Sequence, residues 1–199
     1  MKTPAGVEGV RRVWLIRHGE STWNEKGIVQ GQLDPGLTRL GREQAARCAR
    51  TLAEGMRAEA LYSSDLRRAL ESAAPIAEAL GLELQVEADL RERSLGDAEG
   101  SPNPTLGPAR SGISEGRVVD ADAAPAGGES VRQLYERAVT CARRVLSRHR
   151  GDVVLVCHGG VVRVLAAWLD GATPDGMTWP EVDNSVPIVR RVLSTSTCT

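Results

Sequence analysis

The run Val13-Trp14-Leu15-Ile16-Arg17-His18-Gly19-Glu20 decides how this chain is built. Four apolar residues end on an arginine and a histidine and then meet glycine. This is the pattern of a short buried parallel strand that delivers a side chain at its carboxyl end. The plan returns at Val153-Val154-Leu155-Val156-Cys157-His158-Gly159-Gly160. Open α/β sheets bind ligands in the crevice beyond such strand ends. Two of the chain's three histidines are therefore expected to face each other across one pocket.

Working outward, Val10 to Ile16 forms the first strand. Residues 20–37 read as a long loop, because Asn24, Gly27, Gly31, Asp34, Pro35 and Gly36 interrupt any period. A loop of that length in a compact domain usually carries function. Thr38 is positioned to cap a helix to about Glu54, with Leu40, Ala45, Cys48, Ala49 and Leu52 at helical spacing. Ala60-Leu61-Tyr62 is a short strand, and Ser63-Ser64-Asp65 are suited to cap a helix through Leu80. Pro75 is expected to bend that helix or split it near Ala74. Leu84 to Val86 is a further strand. Glu129-Ser130 opens a helix from Val131 to about Arg150, a helix runs from Val161 to Leu169, and Val186 to Leu193 closes the chain as a strand. Strands alternating with helices indicate an α/β sandwich with a mostly parallel central sheet. Residues 1–9 read as a flexible tail and residues 10–199 as one domain. Within that domain, residues 97–128 are rich in Gly, Pro, Ser and Ala and form a lid-like excursion.

Composition limits the partners. Lys+Arg 25 against Asp+Glu 26 leaves a formal charge of -1, so no overall basic field favours nucleic acid or an anionic membrane, and any anion site is local. No apolar run approaches the roughly 18 residues of a membrane span, and the first nine residues lack the apolar core of a secretion signal. A soluble cytoplasmic protein is expected, with an exposed edge strand leaving room for a homodimer. Four cysteines are scattered without a metal-type spacing. Cys157 beside His158 suggests a nucleophilic pair, but strand neighbours point to opposite faces, so the thiol should look away if the imidazole looks in.

The side chains at these strand and helix ends suit phosphoryl transfer, which depends on positioning and on neutralising peripheral oxygens. Arg17 offers a bidentate fork, and Arg67 and Arg68 sit where a helix begins, at the end that favours anions. Adjacent residues diverge by about 100° on a helix, so one of that pair is expected to enter the pocket. A histidine with one unprotonated nitrogen is a competent nucleophile.

Four blocks, Ile16-Arg17-His18-Gly19-Glu20-Ser21, Ser63-Ser64-Asp65-Leu66-Arg67-Arg68-Ala69, Leu90-Arg91-Glu92 and Cys157-His158-Gly159-Gly160, resemble in order and spacing the signatures of the histidine phosphatase superfamily. That group includes the cofactor-dependent phosphoglycerate mutases. The resemblance spans most of residues 12 to 193 and implies a phosphoglycerate mutase-like three-layer αβα sandwich. By the same resemblance His18 is the nucleophile that becomes phosphorylated, and His158 donates to a phosphoryl oxygen in the transition state. Arg17 and Arg68 clamp the phosphoryl group, and Glu92 protonates the leaving oxygen and then activates water. Ser21, Asn24, Gln30 and Gly31 match positions that line the substrate pocket, and Gly159 offers a backbone N–H. The resemblance implies no metal and no cofactor, and a small phosphorylated metabolite as the partner.

Two activities share the first half-reaction. Gly31 to Thr38, followed by Leu40-Gly41-Arg42-Glu43-Gln44-Ala45, looks like the phosphatase branch, and Leu95 stands where the mutases carry a tyrosine that touches substrate. Between Ser94 and Gly128 only Arg110 and Arg117 are basic, which argues against a bisphosphate site. Glu20-Ser21-Thr22-Trp23-Asn24 matches the mutases equally well, so a 2,3-bisphosphoglycerate-dependent mutase is the alternative. Ala98 removes an aromatic wall found in many of the phosphatases. Trp23 either stacks on substrate or closes its loop over the core.

Overall fold

The computed structural model describes residues 10–102 and 110–193. The expected tail over residues 1–9, the middle of the 97–128 excursion and the last six positions of the expected domain lie outside the described residues.

A five-stranded sheet forms the middle layer. Its strands are β1 (Val10–Arg17), β2 (Ala58–Ser63), β3 (Leu84–Val86), β6 (Asp152–Cys157) and β7 (Ile188–Leu193), in the order β3-β2-β6-β1-β7. β1, β2, β3 and β6 are parallel, and β7 runs antiparallel along the edge of β1. β1 and β6 are neighbours in register, with Ile16 opposite Val156 and Arg17 opposite Cys157. The two strands that the sequence ended on histidine therefore end side by side.

Side-chain alternation sorts the two outer layers. Val13, Leu15, Val153, Leu155 and Cys157 point to one face and pack with α4 (Val131–Ser147) and α5 (Gly159–Leu169). Ile16, Val154 and Val156 point to the other and pack with α2 (Arg39–Gly55) and α3 (Arg67–Leu80). The helices that follow β1 and β6 leave towards opposite faces, so a crevice opens between the two strand ends, where ligands bind in open α/β sheets. Cys157 lies in the core on the α4/α5 side, and burial pushes its thiol up.

Several elements differ from the sequence reading. Residues 20–37 are not all loop: α1 (Thr22–Glu25) makes one turn, capped by Ser21 and Asn24 in a reciprocal box. Thr38 and Ser130 cap α2 and α4 as expected, but Ser63-Ser64-Asp65 do not cap α3. That helix starts later, at Arg67, because Asp65 is taken by the Arg91 guanidinium at 2.5 to 3.0 Å and Ser64 by His158. Pro75 does not split α3, which runs unbroken to Leu80. α5 begins at Gly159, two residues earlier than expected, α4 stops at Ser147, and β7 starts at Ile188. The described part of the excursion holds a two-stranded hairpin, β4 (Ile113–Ser114) and β5 (Arg117–Val118), anchored by buried Val118 and Ala121. Among the described residues, no helix is long and apolar enough to cross a membrane.

Candidate active site

His18 follows the last residue of β1 and its N–H donates to Cys157 O at 2.9 Å, which ties it to the end of β6. Asn184 Nδ2 donates to His18 O at 2.7 Å and Ser185 N–H to Arg17 O at 2.9 Å, so the turn before β7 holds the same backbone from the other side. The His18 and His158 rings are 5.2 Å apart between centroids and tilted by 59°. Both are buried.

Hydrogen-bond partners assign the protons. His18 Nδ1 lies 2.6 Å from Gly19 O, a group that can only accept, so the proton sits on Nδ1 and Nε2 keeps its lone pair. Arg68 Nε donates to that Nε2 at 3.3 Å. Ser64 Oγ is 2.9 Å from His158 Nε2 and accepts from Leu66 N–H at 3.3 Å, so its own proton is free for the imidazole. Where that hydroxyl donates to Nε2 the imidazole proton is on Nδ1, and Nδ1 is buried with no partner among the described residues. Burial is the main cause holding both imidazoles well below the usual histidine range, with Arg68 and Arg17 adding to it.

α3 places its arginines as the helical angle requires. Arg67 faces solvent, whereas Arg68 is 0% exposed and donates Nη1 to Leu33 O at 2.7 Å and Nη2 to Gly31 O at 2.8 Å. Ser72 locks this corner by accepting from Gly19 N–H at 2.9 Å and donating to Arg68 O at 2.7 Å. Arg17 gives Nη1 to Val182 O at 2.6 Å, and its Nε is buried without a partner among the described residues. Desolvation lowers the pKa of both guanidinium groups, which are nonetheless charged at any ordinary pH.

Glu92 enters from the opposite wall. Both its oxygens accept from Gly160 N–H at 3.1 Å, and Oε1 also accepts from Arg93 N–H at 2.8 Å. Its backbone is held by Arg137, which also pairs with Glu129 at 2.7 Å, and by Gln32. The neighbouring Arg93 reaches into the excursion and donates to Glu129 O at 2.7 Å and to Ser111 O and Ala123 O at 3.2 Å.

These groups line a cavity of about 600 Å³. The structure brings Arg17, His18, Arg68 and Glu92 to its wall, with Asn24, Gln30 and Gly31 from the long loop. His158 is not part of the wall, but its ring lies 5.2 Å from that of His18. Ser21 and Gly159 are buried beneath the wall: Ser21 caps α1 and donates to Gln30 Oε1 at 2.7 Å, and the neighbouring Gly160 lines the cavity instead. Trp23 is part of the wall. Sequence reasoning missed Arg163, Trp179 and Glu181 on the far side. Arg163 had a readable signal, since it falls four residues after Gly159 and so on the same helical face.

The sequence profile of the histidine phosphatase superfamily (branch 1) matches residues 13–190. Phosphoglycerate mutase-like protein 4 of Arabidopsis thaliana is 42% identical over 157 residues, covering 76% of this chain and 67% of its own. A 2,3-bisphosphoglycerate-dependent phosphoglycerate mutase of Brucella anthropi is 34% identical over 196 residues, covering 94% and 95%. Among solved structures, a mycobacterial glucosyl-3-phosphoglycerate phosphatase in complex with VO3 superposes with a TM-score of 0.76 at 29% identity, covering 95% of this chain and 100% of that one.

Proposed function

We propose, from the premise that this chain belongs to the histidine phosphatase superfamily, that it hydrolyses small phosphomonoesters through a phosphohistidine on His18, without a metal. The observation that carries the reading is the Nε2 lone pair of His18. Gly19 O holds it unprotonated, and it sits beside a buried guanidinium on the wall of an accessible cavity.

In the first step His18 Nε2 attacks phosphorus, the P–O ester bond breaks, and Glu92 gives its proton to the departing oxygen. Arg17, Arg68 and the His158 Nδ1–H neutralise the oxygens that gain charge, in a setting dry enough for each contact to count. In the second step Glu92 takes a proton from water, the water oxygen bonds to phosphorus, and the P–N bond breaks. Phosphate leaves and Nε2 regains its lone pair. Leu95 on the cavity wall, where mutases carry a tyrosine, favours water as the acceptor.

The test is p-nitrophenyl phosphate hydrolysis in the presence of a chelator. The wild-type chain is expected to turn over and His18→Ala to be inactive, while equal rates in the two proteins overturn the reading. The mutase alternative draws support from the further arginines on the cavity wall, which a bisphosphate would need. It predicts that 2,3-bisphosphoglycerate stimulates interconversion of the two monophosphoglycerates with little phosphate release.

A further inference from the structure

The cavity wall carries guanidinium groups beyond the two that clamp a phosphoryl group. Besides Arg17 and Arg68 it presents Arg93, Arg110 and Arg163, and the carboxylates lining it are Glu92 and Glu181. Arg68 is also within 3.8 Å of Asp34, and Arg93 is held by three backbone carbonyls. With a phosphoryl group between Arg17 and Arg68, the guanidinium of Arg163 is left on the wall for a second acidic group of the same molecule.

Arg163 is built to meet that group. It projects from α5 with its guanidinium carbon 5.1 Å from the centre of the Trp179 ring, within cation–π range. Its Nε donates to Pro180 O at 2.6 Å, which is the one hydrogen bond of this side chain among the described residues. Its terminal nitrogens have no carboxylate within ion-pair distance among the described residues. A Cβ on Gly159 would lie 2.9 Å from Arg163 Nη1 and 3.7 Å from Arg17 Nε, so the missing side chain lets two cations approach across bare backbone. Desolvation, together with the like charges of Arg17 and Arg110, pulls the Arg163 pKa down to about 10, against the opposing pull of Glu92 and Glu181. Like charges crowded this way repel one another, and an anion arriving between them relieves that repulsion.

We infer that Arg163, braced on Trp179 and assisted by Arg110, forms a second anion subsite, so that the preferred substrates are small phosphomonoesters bearing a carboxylate. A single carboxylate matches one planar guanidinium fork, which binds such a group through two parallel hydrogen bonds. The inference rests on the phosphomonoesterase reading above and narrows its substrate class. It also revises the sequence argument from the basic-poor excursion, because the cation that matters comes from α5.

The experiment compares 3-phosphoglycerate with glycerol 3-phosphate, which differ in a carboxylate against a hydroxymethyl group. Wild-type kcat/KM, read as phosphate release, is expected to favour the carboxylate ester by about tenfold or more, the worth of a charge-assisted bidentate pair. In Arg163→Met that ratio is expected to collapse towards one whatever the absolute rates do, with Arg163→Lys intermediate. A wild-type ratio near one, or an unchanged ratio in Arg163→Met, overturns the inference while leaving p-nitrophenyl phosphate hydrolysis to support the broader reading. Should no phosphomonoester be turned over, the hydrolytic reading fails on its own, and calorimetric titration of the same two esters into His18→Ala still decides the subsite. Tighter binding of 3-phosphoglycerate by about tenfold supports it, and equal binding overturns it.

Discussion

Replacing Gly160 by alanine tests the role of Glu92 without touching its carboxyl group. A Cβ built at Gly160 falls 2.3 Å from Glu92 Oε1, whereas ordinary van der Waals contact begins near 3.4 Å, so the carboxyl group must retreat by about 1 Å. The retreat also stretches the two 3.1 Å hydrogen bonds from Gly160 N–H that aim it. A displacement of that size costs on the order of 10²-fold where proton transfer limits the rate. The glycerol of glycerol 3-phosphate leaves as an alkoxide that must be protonated, whereas p-nitrophenolate leaves without help. Because kcat/KM reports steps up to the first irreversible one, it isolates the proton donated to the leaving group from later water activation. We expect Gly160→Ala to lower kcat/KM about 10²-fold on glycerol 3-phosphate and by less than about tenfold on p-nitrophenyl phosphate. Stability should change little, because alanine at the second residue of α5 gains up to about 1 kcal/mol of helix propensity against the local strain. Equal losses on both esters, or none, would refute the assignment of Glu92 as the acid.

Arg68→Met is expected to lower kcat/KM by about 10²- to 10³-fold and to destabilise the fold, because the Gly31 and Leu33 carbonyls lose their donors at about 1 to 3 kcal/mol each. Urea denaturation checks the second part, and an unchanged midpoint would contradict it. His18 and His158 are both buried with lowered pKa values, so below the unfolded value near 6.5 the unfolded chain binds protons that the folded chain refuses. Stability should therefore be flat above about pH 7 and fall as pH drops below 6.5, by up to about 1.4 kcal/mol per pH unit for each imidazole, in denaturation measured across that range. Cys157→Ala should leave p-nitrophenyl phosphate hydrolysis intact at a cost of about 1 kcal/mol in stability, and a lost phosphoenzyme would bring the thiol into the chemistry.

The central sheet and the paired histidines were legible because each strand is a continuous apolar run that stops on the residue it delivers. Binary burial on both faces left β1 and β6 with no other place to go. That one arginine of the 67/68 pair enters the pocket followed from the helical angle, whereas the choice of Arg68 came from the family resemblance, in which it directly precedes the alanine. What could not be read were contacts decided across the chain. Ser64 and Asp65 look like helix caps, but a histidine 94 residues on and an arginine 26 residues on claim them instead. Pro75 has the residue type of a helix breaker, yet packing of Ala73 and Ile76 into the core keeps α3 whole. Arg163 and Trp179 lie in an α-helix and a loop with no local pattern linking them, and only the tertiary fold puts one over the other.

One side chain links the wall that carries Glu92 to the excursion. Arg93 shares a peptide unit with Glu92 and grips carbonyls at residues 111, 123 and 129. The carboxyl group of Glu92 and the stretch from Ser111 to Glu129 are thus tied to a single residue, the first through its N–H and the second through its guanidinium, so that replacing Arg93 is expected to loosen both at once.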